Sequence, residues 1–217
     1  RAKIEQSPMG AYQWMIVVMA AIMNLLDGFD VLALAFTATA IRGEFGLTGI
    51  ELGYLLSAGL FGMTAGSLFL APLADKIGRR PLLLMAVSLS AIGMLGSAFI
   101  SQYQWLGFWR VITGLGVGGI LVGTNVITSE YSSRKWRSFA ISVYAAGFGI
   151  GAVLGGMFAV MLQGEYGWRS VFLAGAILTG LLLVVLFIWL PESIDFLTSK
   201  QPKNAEVRLN LIAKKIG

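Results

Sequence analysis

The chain has 217 residues, 57% hydrophobic and only 12% charged, with a mean hydropathy of +0.78; a soluble domain carries about a quarter charged residues, so this one belongs in a membrane. It contains no cysteine and no histidine, which excludes disulfides, thiolate metal sites and the commonest metal ligand and catalytic base, and no enzyme chemistry is visible. The net charge of +5 would point to nucleic acid in a soluble protein, but here its meaning depends on which loops hold the basic residues.

Apolar runs of membrane length, separated by short polar loops, predict six spans at about 12–41, 52–73, 82–101, 104–128, 139–163 and 168–190. The fold class is therefore an all-α membrane protein, a six-transmembrane-helix bundle over residues 1–190. The first run is too long for a cleavable signal and lacks its small-residue cleavage site. With the N-terminus taken as cytoplasmic, that side collects thirteen basic residues: Arg1, Lys3, Lys76, Arg79, Arg80, Arg134, Lys135, Arg137, Lys200, Lys203, Arg208, Lys214 and Lys215. The other side has only Arg42 and Arg169. This asymmetry puts both termini and the loops after the second and fourth spans in the cytoplasm, so the charge reflects orientation and not nucleic acid. Trp14, Trp105, Trp109, Trp168 and Trp189 lie near predicted span ends, as an interfacial aromatic belt requires.

The first span carries Asp27-Gly28-Phe29-Asp30 near its middle. An acidic residue at the bilayer centre costs about 2.5–3.5 kcal/mol, so the pair needs compensation. One turn apart, the two carboxylates face the same way. A membrane-buried carboxylate that exchanges its charge for a proton is a coupling group for transport, and Asp27 and Asp30 are the candidates; the alternative is a structural pair satisfied by neighbouring helices. Asn24 lies one turn earlier. After the second span, Asp75, Lys76, Gly78, Arg79, Arg80 and Pro81 form a tight turn, with Gly78 supplying its backbone and Asp75 able to cap or to pair with Arg79 or Arg80.

In the fourth span Arg110 is the one basic residue inside hydrocarbon, and the cheapest solution for it is to face a carboxylate or a water-filled cavity. It is either the ion-pair partner of Asp27 or Asp30 or an anchor for an anionic substrate. Thr124, Asn125 and Thr128 of the same span, Tyr144 of the fifth and Phe29 of the first, with Asn24, are candidate lining residues of the same cavity, each of them otherwise an interhelical hydrogen bond or packing contact. Glycines at helical spacing mark three spans: Gly59, Gly62 and Gly66; Gly114, Gly118 and Gly119; Gly147, Gly151 and Gly155. Such stripes let helix backbones approach closely. Pro191 ends the sixth span, residues 192–202 read as a polar linker, and from Asn204 an amphipathic helix carries Val207, Leu211 and Ile212 on one side.

The stretch from Ala71 to Pro81 resembles the signature loop of the major facilitator superfamily, with Asp75, Lys76, Gly78, Arg79 and Arg80 in register and Ala71 where the family has glycine. Arg110 with Gly114 and Gly118 is similar to the family's fourth-helix motif, and Glu130 with Arg137 resembles the charge pair that closes the loop after it. Gly147, Gly151, Gly155 and Gly156 match the fifth-helix glycine pattern of antiporters, whose proline is Ala152 here. Asp27 to Asp30 and the stretch from Leu190 to Leu197 look most like the aromatic acid:proton symporter branch, whose members import benzoate-type, hydroxybenzoate or muconate-type acids.

The resemblance implies two inverted three-helix repeats forming the N-terminal half of a transporter in the cell inner membrane, with residues 191–217 beginning its central cytoplasmic loop. It implies proton-coupled uptake through Asp27 and Asp30, a gating loop from Asp75 to Arg80, and no cofactor or metal beyond the coupling proton. The expected partners are a small organic acid, the bilayer, and a second six-helix half, either a C-terminal domain or a second copy in a homodimer. Starting at Arg1 and stopping at Gly217, the chain reads as a fragment. A sugar or metabolite symporter, an exporter, and a non-transporting receptor or assembly partner reusing the fold are the alternatives left open.

Overall fold

The computed structural model describes residues 9–202 and 205–216. Arg1, Lys3, Lys203, Asn204 and the side chains of Arg208 and Lys215 lie outside the described residues. Among those described, eight helices follow one another: α1 (Ala11–Phe45), α2 (Gly49–Ile77), α3 (Arg79–Ala98), α4 (Tyr103–Tyr131), α5 (Arg137–Tyr166), α6 (Arg169–Trp189), α7 (Ile194–Lys200) and α8 (Ala205–Ile216). The first six are long and apolar enough to cross a bilayer.

Helices α1, α2, α4 and α5 run past both ends of their apolar stretches, whereas α3 starts and ends three residues early and α6 lies within its own. The chain leaves α1 through Gly46 at φ +64°, whose N–H bonds the Arg42 carbonyl, and enters α2 through a capping box between Thr48 and Glu51. Gly78, at φ +102°, turns α2 directly into α3, and Pro81 sits in the first turn of that helix. The connections holding Lys76, Arg79, Arg80, Arg134 and Lys135 share one end of the bundle with α7 and α8, called here the basic end.

Packing follows an internal two-fold. Helix α2 lies along α4 and α1 along α5, while α3 packs on both α4 and α6. Exchanging α1–α3 for α4–α6 converts the first contact into the second. Burial repeats in the same way: the most apolar stretches of α1 and α4 are each 61% buried, and those of α2 and α5 each 17%. Three crossings leave the chain on the far side of the bilayer, so the second three-helix repeat is inverted relative to the first.

The close contacts of the two matched pairs are made by glycine. A Cβ at Gly147 or Gly151 would enter the carbonyls of Ala21 or Leu25 on α1, and one at Gly62 or Gly66 would enter Val111 or Leu115 on α4. Backbone cannot give way as a side chain can. Gly151→Ala is therefore expected to destabilise the bundle by about 2–3 kcal/mol, whereas Gly149→Ala, which points into open space, leaves it unchanged. Thermal unfolding of the two variants in detergent checks this.

Three features depart from the expectations above. The stretch 192–202 is no simple linker, because Ser193 caps α7 by accepting from Phe196 N at 3.1 Å. The three apolar positions of α8 divide: Ile212 is buried against the core, while Val207 and Leu211 are exposed. Trp105 and Trp189 are exposed as a belt requires, but Trp168 is buried and gives its indole N–H to Glu44 Oε2 at 2.6 Å, and Trp109 packs on Gly96. Two apolar cores result, one near the basic end around Met23, Ile127 and Leu186, the other around Phe29, Met94 and Phe172. The carboxylates of α1 sit where the two meet.

Candidate functional site

Asp27, Asp30 and Arg110 are 2%, 1% and 3% exposed, so all three point into this six-helix unit and none at lipid. Asp30 is held at two points. Its Oδ2 accepts from Ser90 Oγ of α3 at 2.7 Å, and its main-chain carbonyl accepts from Arg110 Nη1 at 3.2 Å. The other guanidinium nitrogen, Nη2, donates to Met94 Sδ at 2.9 Å, Ser97 Oγ at 3.3 Å and Thr113 Oγ1 at 2.9 Å. The ring of Phe172 on α6 covers the guanidinium, with its centroid 4.9 Å from Cζ.

The carboxylate ion pair open to Arg110 is thus replaced by neutral acceptors and a backbone carbonyl. Asp27 Oδ2, Asp30 Oδ1 and Arg110 Nε have no hydrogen-bond partner among the described residues. Buried polar atoms in this condition are few in proteins and point to a function, a bound ligand or water. A small cleft opens between α1, α2 and α4, and Asp30, Arg110, Thr113, Leu34, Leu55 and Gly59 are among the residues lining it.

The remaining candidates do not all reach that cleft. Asn24 gives its amide to the Tyr144 carbonyl at 2.9 Å and the Tyr144 hydroxyl donates to the Leu121 carbonyl at 3.3 Å, so this pair fastens α1, α5 and α4 together. Thr124 turns back on its own helix at the Ile120 carbonyl, Thr128 is buried with its hydroxyl unpartnered, and Asn125 is exposed. Phe29 packs on Gly155 and lines a separate apolar cavity with Leu25, Leu154 and Phe158. Ser90, Met94, Ser97 and Thr113 escaped the sequence reading. Their only signal is that Ser90, Met94 and Ser97 share one face of the third span.

At the basic end Asp75 pairs with Arg79 at 2.8 Å, Arg80 donates to the Phe187 carbonyl at the end of α6 at 2.7 Å, and Lys76 is exposed in the last turn of α2. The buried Glu192 carboxylate accepts from the main-chain N–H groups of Arg79 at 2.7 Å, Arg80 at 3.0 Å and Ser193 at 2.9 Å, and so caps α3. Glu130 does the same for α7, accepting from Ser193 Oγ at 2.8 Å and Ile194 N at 2.9 Å. The Tyr131 hydroxyl donates to the Glu192 carbonyl at 2.7 Å, and the Gln13 amide of α1 to the Tyr131 carbonyl at 2.7 Å. Arg137 opens α5. One network therefore joins α1, α3, α4 and α7. The opposite end is fastened by Arg169, bidentate to Glu44 at 2.7 and 2.9 Å.

A family model described as Major Facilitator Superfamily matches residues 20–213. A gallate transporter of Pseudomonas putida is 36% identical over 204 residues, which cover 94% of this chain and 45% of that protein. The 4-hydroxybenzoate transporter PcaK of the same organism is 35% identical over 208 residues, covering 96% of this chain and 46% of its own. Among solved structures, the proton:xylose symporter XylE superposes with a TM-score of 0.83 at 23% identity, over 95% of this chain and 50% of that one. The chain spans about half the length of the relatives it matches. Six membrane helices in two inverted repeats, together with a family match over nearly all of them, mean that this chain belongs to the major facilitator superfamily of membrane transporters.

Proposed function

We propose that the chain is the N-terminal half of a proton-coupled symporter that imports an aromatic or related carboxylic acid by alternating access, with both of its termini in the cytoplasm of the cell inner membrane. The observation that carries this reading is a buried arginine held by neutral partners beside two carboxylates whose oxygens are only partly satisfied. A cation in that condition is electrostatically prepared for an anion entering the cleft that it lines. Asp27 and Asp30 take up protons from outside, and neutralising them favours closure around the bound acid and passage inward.

The basic-end network stabilises the outward-open state, with Asp75 to Arg80 as the gating loop. The exposed apolar faces of α2 and α5, which include Phe61, Phe69, Leu154 and Phe158, meet a second six-helix half. The gallate and 4-hydroxybenzoate transporters among the relatives support the choice of substrate class.

The test is uptake of labelled 4-hydroxybenzoate or gallate into vesicles carrying the transporter that contains this chain. Acidifying the outside by one pH unit is expected to raise accumulation about tenfold per coupled proton, and a protonophore to abolish the rise. Uptake indifferent to the proton gradient overturns symport. Preferred uptake of xylose overturns the substrate class, and binding without flux favours a receptor.

A further inference from the structure

The two kinds of charge in the site are held by one strip of α3. Ser90, Met94 and Ser97, separated by four and three residues, share a helix face. Ser90 holds the Asp30 carboxylate at 2.7 Å; one and two turns on, Met94 Sδ at 2.9 Å and Ser97 Oγ at 3.3 Å hold Arg110 Nη2. The guanidinium already touches the Asp30 main-chain carbonyl at 3.2 Å. The Asp30 carboxylate makes no hydrogen bond to that cation and is bonded to Ser90 instead. On the other flank, a Cβ at Gly175 of α6 would come within 3.3 Å of Asp30 Oδ1.

We infer that the α3 strip is a spacer and that Ser90 is a positioning residue, whose hydroxyl turns the Asp30 carboxylate away from Arg110 and so keeps Asp30 able to bind and release a proton. This rests on the reading of Asp30 as a coupling group. In an ion pair Arg110 would favour the anion alone, because a guanidinium only donates hydrogen bonds. A serine hydroxyl both donates and accepts, so it holds the carboxyl group in either protonation state.

The titratable and charged groups around Asp30 are few among the described residues. Asp27 is one turn away on α1, Arg110 comes from α4, and Tyr144 of α5 lies within electrostatic range of Asp27. The faces given by α3 and α6 carry Ser90, Met94, Phe172 and Gly175, none of which titrates.

The experiment measures initial uptake of labelled 4-hydroxybenzoate against external pH, in vesicles carrying the transporter that contains this chain. In Ser90→Ala the freed carboxylate falls onto Arg110, and the midpoint of the pH profile moves about one unit or more toward acid. Met94→Leu, which preserves volume and removes the sulfur that holds Arg110 from the far side, moves it in the same direction. Ser90→Thr keeps the hydroxyl and restores the wild-type profile. A midpoint that stays put in Ser90→Ala, or moves toward alkali as the loss of an ordinary hydrogen bond to an anion would cause, overturns the spacer. So does a threonine variant that behaves like alanine. Wild-type uptake that ignores pH overturns the coupling role of Asp30 along with it.

Discussion

Arg110→Leu is expected to lower uptake by roughly 10²- to 10³-fold, and Arg110→Lys is expected not to restore it. Removing one member of a buried charged network costs about 3–5 kcal/mol, because its partners stay behind desolvated. Here the Asp30 carbonyl, Met94, Ser97 and Thr113 lose their shared donor, and the buried Asp30 carboxylate loses the one buried cation near it among the described residues. Lysine brings a compact point charge that cannot point at the α1 carbonyl and the α3 strip from two separate nitrogens. Uptake of labelled 4-hydroxybenzoate, corrected for the amount of protein in the membrane, measures the loss.

Pairing Arg110→Leu with Asp30→Asn separates structure from transport. The double variant removes both charges, so it is expected to recover the membrane level of the wild type while remaining unable to accumulate substrate. Recovered uptake in the double variant would mean that Arg110 serves only to neutralise Asp30. Uptake within about threefold of wild type in Arg110→Leu alone would remove it from the mechanism altogether.

The depth of these charges was legible in the chain, and their pairing was not. Apolar runs are set by the thickness of hydrocarbon, so six spans and the burial of Asp27, Asp30 and Arg110 follow from hydropathy and spacing. Which atom of Asp30 Arg110 would touch depends on a rotamer and on the packing of α3, neither of which leaves a trace in spacing. Ser90 shows why the strip was missed. Ser88 and Ser97 bond the carbonyls of Leu84 and Gly93 in their own helix, the ordinary fate of serine in a membrane helix, and nothing in the sequence distinguishes Ser90 from them.

The glycine stripes, by contrast, were informative, since close backbone approach leaves few alternatives to glycine. The partners of each stripe came only from the fold: α5 glycines meet α1, and α2 and α4 glycines meet one another. Glu192 failed for a different reason. In a polar stretch after Pro191 it reads as one more solvated acid, whereas its carboxylate lies on the N-terminus of a helix 112 residues earlier.

Glu192→Ala is accordingly expected to be the most damaging change outside the membrane core. Three main-chain N–H groups, those of Arg79, Arg80 and Ser193, now converge on one oxygen. Left buried without an acceptor, each costs about 1–3 kcal/mol, and since such losses overlap a total of about 2–4 kcal/mol is expected, or a fall in Tm of about 5–10 °C in detergent. Glu192→Gln retains an oxygen at the helix start but loses the charge that favours the positive end of α3, so it should recover roughly half of that loss. The neighbouring turn supplies an internal check. Gly78 sits at φ +102°, and a Cβ there would run into the Glu192 carboxyl, so Gly78→Ala suffers both from backbone strain and from that collision. In the Glu192→Ala background the collision disappears, and Gly78→Ala should cost less than it does alone. Effects that simply add would mean that the two residues do not touch, and the clamp joining the α2–α3 turn to α7 would then not be what holds the basic end together.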